Sequence, residues 1–233
     1  MIKRIVCFAN SRKPDGKCFA GKDLYNELWI RPIGNRQSES ISPKEECISK
    51  NNCNCSYCCP KIPELLDIVE MELIQYAGYC HQSENYIIGP SRWNKIDQLD
   101  TKCIDKYLDF PCDGLWIDGF SSIHRKNDRI PVAMIKQLHD SLNLIEISQL
   151  DIEVVVEGLD YGHPRKRVNG IFSYKRIDYI LPVTDEIIEK DFLHLEEGVY
   201  PLYTKSKRIV LCISMGKEYK GFIYKLISGI IEI

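Results

Sequence analysis

The chain has 233 residues, 44% of them hydrophobic and 27% charged, with a net charge of -2. Those fractions suit a globular protein with a packed core and exclude wholesale disorder, and the length allows one large domain or two small ones. Up to about residue 135 there are 18 Lys and Arg against 18 Asp and Glu, and beyond it 13 against 15, so neither half carries a basic field; any nucleic-acid contact must come from a local patch.

No run approaches the roughly 20 apolar residues that cross a bilayer, and the apolar stretch from Met1 to Cys7 is too short for a signal peptide. The reading places the protein in the cytosol. Its eleven cysteines are then expected as thiols or metal ligands rather than as a disulfide framework.

Lys3 to Ala9 reads as a first strand, followed by a polar turn from Asn10 to Gly16. Cys18 to Gly21 and Leu28 to Pro32 read as short extended pieces. Gly16 to Lys22 fits Gly-x4-Gly-Lys, but Asp23 stands where a phosphate loop needs Ser or Thr for magnesium. A glycine-bounded hairpin is the reading preferred there.

The stretch from about 37 to 61 is polar and cysteine-rich. Cys55-x-x-Cys58 has the spacing that lets two thiolates meet one zinc, and Cys47 and Cys53 complete a four-cysteine set, with Cys59 as a substitute. The loop has almost no large apolar residues, so a structural zinc would supply folding energy that burial cannot, about 10 kcal/mol for such sites. The competing reading is an insertion with reduced thiols.

Asp67 to Gln75 alternates, with Val69, Met71 and Leu73 on one face and Glu70 and Glu72 on the other, as a half-buried strand does. Cys80 beside His81 is discounted as a nucleophile pair, since strand neighbours face opposite ways. Ile96 to Leu108 has helical spacing through Leu99, Cys103, Ile104 and Tyr107. A second helix is predicted from Ile130, with Val132, Ile135, Leu138 and Leu142 as its apolar stripe.

The last third reads as strands. Ile152, Val154 and Val156 alternate with Glu153 and Glu157. Phe172–Tyr174 and Tyr179–Leu181 form a hairpin turned by Lys175 to Asp178. Ile209 to Ile213 is continuously apolar and reads as buried on both faces; Phe222–Ile227 and Gly229–Ile233 finish the chain. His163 to Arg167 is a basic turn, and Lys205, Lys207 and Arg208 could widen it. The fold class is therefore mainly β with a few helices, and short strands with polar turns suit small barrels. The boundary is set at 130/131, giving domains 1–130 and 131–233.

Several segments then resemble the dual OB-containing domain proteins of bacteria: Asn10-Ser11-Arg12-Lys13, Cys18-x-Ala20-Gly21, Trp29-Ile30-Arg31-Pro32, Leu66-Asp67-Ile68-Val69, Gln82-x-Glu84-Asn85, Val183-Thr184-Asp185, Ser214 to Glu218 and Gly221 to Leu226. The resemblance implies two tandem OB-like barrels, a fold that commonly binds single strands or oligosaccharides on one face. The cysteine-rich insertion departs from that pattern. The candidate surface is Asn10, Arg12, Lys13, Trp29, Arg31, Gln82, Glu84 and Asn85. Trp29 would stack on a base, Arg31, Lys13 and Arg12 would meet phosphate, and Asn10, Gln82 and Asn85 would offer hydrogen bonds. The leading expectation is a non-enzymatic module for single-stranded DNA or RNA or a nucleotide. Its rivals are a metal-dependent enzyme on such a substrate, using Glu84 or Asp67, and a protein-interaction module.

Overall fold

The computed structural model describes residues 1–13, 16–34, 40–41, 48–49, 63–158, 162–202 and 208–233. The chain divides into two compact units, Met1–Tyr107 and Leu108–Ile233. The sequence set the boundary at 130/131. Residues 108–130 belong with the second unit because Leu115 sits in its core and the Asp109 N–H and carboxylate both bond the backbone of Leu144.

The first unit contains β1 (Ile2–Lys13), β2 (Gly16–Asp23), β3 (Trp29–Ile33), β4 (Ile48–Ser49), β5 (Asp67–Tyr76), β6 (Asn85–Ile88) and β7 (Trp93–Gln98). Hydrogen bonds run β1-β2-β3-β6-β5 and back from β5 to β1, which closes a five-stranded ring. Only the β3–β6 contact in that ring is parallel. Counted by chain order, the ring is 1-2-3-5-4-1, a Greek-key barrel of the OB kind. Its filling comes from the alternation the sequence showed: Val69, Met71 and Leu73 point inward with Ile5, Cys7, Phe19, Ile30 and Trp93.

Gly16 to Lys22 forms strand β2 rather than a phosphate loop. Gly21 has a packing reason instead, because a Cβ there would stand 2.0 Å from the Val6 carbonyl oxygen. The helix expected over Ile96 to Leu108 is absent. β7 takes residues to Gln98, and Thr101–Tyr107 is a 3-10 helix. Its buried residues, Ile104 and Tyr107, are three apart and eclipse at three residues per turn.

The second unit contains β8 (Arg129–Pro131), β9 (Leu142–Ile147), β10 (Asp151–Glu157), β11 (Arg165–Tyr174), β12 (Ile177–Pro182), α1 (Glu186–Leu193), β13 (Gly198–Pro201), β14 (Ile209–Tyr219) and β15 (Phe222–Glu232). Two four-stranded sheets, β12-β11-β10-β13 and β8-β15-β14-β9, enclose one core. β9 and β10 follow each other across three residues and belong to different sheets, so together they act as one bent strand. On the other side a parallel bridge joins Val183 to Ile227, and the Thr184 N–H bonds the Ile227 carbonyl. The strand sequence around this half-barrel repeats that of the first unit.

The helix expected from Ile130 is replaced by β8, a 3-10 helix at Val132–Gln137, and β9. Ile130 is captured by the edge of β15, where it pairs with Ile223, and only six residues are left to coil. The β11–β12 turn is two residues long, not four: Lys175 and Arg176, at φ 51° and 66°. The two final apolar runs are one strand, β15, with a bulge at Ser228 between Ile227 and Gly229. α1, which the apolar pattern did not announce, is capped by Asp185, whose carboxylate accepts from the Ile187 and Ile188 N–H groups.

Candidate functional site

In the first barrel Ile30 and Phe19 point into the core, so the residues alternating with them on β3 and β2 point out. Trp29 and Lys22 are cross-strand partners on that outer face, and Phe8 joins them at the β1 bulge, its ring 6.1 Å from Trp29 edge to face. This face is covered from within the same unit. The Tyr107 ring packs on Phe8 at 5.3 Å, and the Lys22 ammonium donates to the Tyr107 carbonyl at 2.7 Å while lying 5.0 Å above the Trp29 ring.

Arg31 follows on the same face of β3. The parallel β3–β6 register sets it opposite Asn85, and its N–H bonds the Glu84 carbonyl. Its guanidinium stands 3.4 Å from the Glu84 carboxylate, and Gln82 accepts from the Asn85 amide at 3.3 Å. So β3, β6 and the β5–β6 loop do bring Arg31, Gln82, Glu84 and Asn85 together, as the sequence grouping supposed. They are not an open surface: Arg31 is 3% exposed and Asn85 1%. The Arg31 Nε and the Asn85 Oδ1 are buried with no hydrogen-bond partner among the described residues.

Asn10 lies elsewhere on β1, its amide donating to the Pro63 carbonyl at 2.7 Å. Arg12 is exposed further along β1, where Lys13 pairs with Gly16. Asp67, the other acid considered for catalysis, is buried and bound to Lys95 and to the Glu64 N–H. Cys47, Cys53, Cys55, Cys58 and Cys59 lie outside the described residues, as do Lys205 and Lys207. Among the described residues no three His, Cys, Asp or Glu side chains group as a metal would require.

The corresponding outer face of the second unit is formed by β10, β11 and β12, where Asp151, Ile171 and Ile180 stand in register across the three strands. It is open. A cavity of about 380 Å³ lies over it, with Ile171 and Ile180 as an apolar floor and Lys126, Gln149, Asp151, Ser173 and Asp178 around it. Asp178 accepts from Lys126 and Ser173, and the Lys126 hydrogen bond holds its carboxyl below the ordinary value. Further along the face, Arg125 bonds Glu157 at 2.6 Å and Asn169 at 3.0 Å, and Asn169 bonds Glu153.

A family model for the dual OB-containing domain matches residues 3–230. The chain belongs to that family. No curated protein and no solved structure matches it. The dual OB domain here thus carries one outer face closed by its own chain and one that is open. Sequence reasoning missed the open face because its residues, Gln149 to Asp151, Ile171 to Ser173 and Asp178 to Ile180, look like ordinary strand and turn. The only advance signal was register: once β10, β11 and β12 are paired, alternate residues must share a face.

Proposed function

We propose that this dual OB domain is a non-enzymatic binding module for a nucleotide or a short single strand of DNA or RNA, and that the second barrel's β10–β12 face makes the contact. The supporting observation is the cavity of about 380 Å³ on that face, within the size range of small-ligand pockets and on the strands that OB barrels use for ligands. Ile171 and Ile180 offer an apolar floor for a planar base. Gln149, Asp151 and Ser173 offer donors and acceptors for its edge. The cations nearby are matched by acids, Lys126 by Asp178 and Arg125 by Glu157, which favours a small ligand over a long polyanion. A structural zinc on Cys47, Cys53, Cys55 and Cys58 belongs to the same proposal on sequence grounds; metal analysis finding far less than one zinc per chain would remove it.

The test is fluorescence anisotropy with labelled single-stranded DNA and RNA, with free nucleotides as competitors. Ile171→Glu and Gln149→Ala are expected to weaken binding at least about tenfold, about 1.4 kcal/mol. Binding unchanged in both variants, or no binding by the parent at micromolar protein, would reject the face.

A further inference from the structure

The first barrel's outer face is built like a ligand site and is filled by the chain itself. Its floor is aromatic and cationic: Phe8, Trp29 and Lys22. What lies on it is a planar ring and an acceptor oxygen, both supplied by Tyr107. The ring is against Phe8 and the carbonyl accepts from the Lys22 ammonium. We infer that Tyr107 is a tethered stand-in for a ligand, and that the first barrel holds a second, occluded site for a planar aromatic group carrying a hydrogen-bond acceptor, as a nucleobase does.

Three further observations point the same way. The buried Tyr107 hydroxyl has no well-formed hydrogen bond among the described residues; the polar group beside it is the ammonium of the exposed Lys106, 4.6 Å from the ring centroid, so the occupant is loosely matched to its seat at that end. On the same face of β3 and its neighbour β6, the Arg31 Nε and the Asn85 Oδ1 are likewise buried and unpartnered, a donor and an acceptor that a ligand could use. The strap that carries Tyr107 is a 3-10 helix, whose hydrogen bonds are of poorer geometry than those of the sheet beneath, and its Cys103, Asp105 and Lys106 are exposed. A strap of that kind can open without the barrel unfolding. While it is closed, ligand affinity is lowered by the fraction of open molecules.

The site is independent of the open face of the second barrel and is tested with that face disabled. In an Ile171→Glu background, Tyr107→Ala is expected to tighten binding of a short labelled oligodeoxythymidylate at least about tenfold, if the open form is a tenth of the population or less. Adding Lys22→Met should abolish the gain. A folded Tyr107→Ala protein that binds no tighter, or a gain that survives Lys22→Met, overturns the inference. Hydrogen exchange on the Ile171→Glu protein with Tyr107 intact covers the case in which Tyr107→Ala fails to fold. Saturating oligodeoxythymidylate should speed exchange at residues 101–107 while slowing it in β3. Unchanged or slowed exchange at 101–107 also overturns it.

Discussion

At the scale of single residues, the second unit carries a buried, paired charge. Lys225 is fully buried on β15. Its ammonium meets the Asp118 carboxylate at 2.5 Å, and the other oxygen of Asp118 accepts from the Tyr179 hydroxyl at 2.7 Å. Burial pushes Lys225 below the ordinary lysine value and Tyr179 well above the ordinary tyrosine value. Asp118→Ala strands the ammonium and should cost about 3–5 kcal/mol in urea unfolding. Lys225→Met removes the charge and keeps the volume, so it should cost far less, because Asp118 is partly exposed and keeps Tyr179. Equal losses would mean that packing, not charge, dominates.

Asp23 gives a pH test in the first unit. Burial raises its pKa, but hydrogen bonds from Lys3, Tyr25 and Asn26 outweigh that and leave it below the ordinary carboxyl value. The folded state therefore binds the proton less readily than the unfolded one. The stabilisation is fully present above the unfolded value and is lost as pH falls through the lower folded one. Asp23→Asn should flatten the acid limb of stability against pH; an unchanged limb would assign acid sensitivity to other groups. Asp185 has the opposite sign: burial, partly offset by the N–H groups of Ile188, Ile230 and Ile187, raises it. Its contribution falls as pH rises from the ordinary carboxyl value through its folded one. These assignments were not legible in the chain. Nothing in the sequence reading marks Lys22, Arg31 or Lys225 as buried; tertiary packing puts them under cover, Lys22 beneath the Tyr107 strap.

At the scale of elements, the β11–β12 hairpin turns on Lys175 and Arg176, both in the left-handed region. Two-residue turns of this kind favour Asn-Gly. Lys175→Asn with Arg176→Gly should stabilise by about 1 kcal/mol, read as a rise of a few degrees in Tm. A fall would show that the Lys175 ammonium near the Tyr174 ring, 5.9 Å from its centroid, outweighs the backbone strain. The strands were the most readable elements because apolar residues alternate in β5 and β10 and run unbroken from Ile209 to Ile213 in β14. The two helical stripes failed for one reason. Three- and four-residue spacing of a few apolar residues also fits a short 3-10 turn flanked by strands. α1 is absent from the sequence reading, which makes this region strand; the signal available was its cap, Asp185 followed by Glu186, rather than its apolar face.

At the scale of the whole molecule, a net charge of -2 and matched ion pairs predict weak coupling to salt. Beside the proposed face Arg125 is paired with Glu157 and Lys126 with Asp178, so these cations are already neutralised within the protein. If one or two phosphates are met, log Kobs should fall with log salt at a slope of roughly -0.7 to -1.4. A slope several times steeper, from a titration between low and raised salt, would mean a basic track that these pairings do not provide.

The amino-acid pattern by itself determined the β class and most of the barrel strands, because side-chain alternation encodes which faces are buried. It also carried the family resemblance. Only the tertiary structure decided which outer face is open and which is closed. That choice depends on a strap some 80 residues away from Trp29 in the chain folding back over it, a contact that no local spacing records.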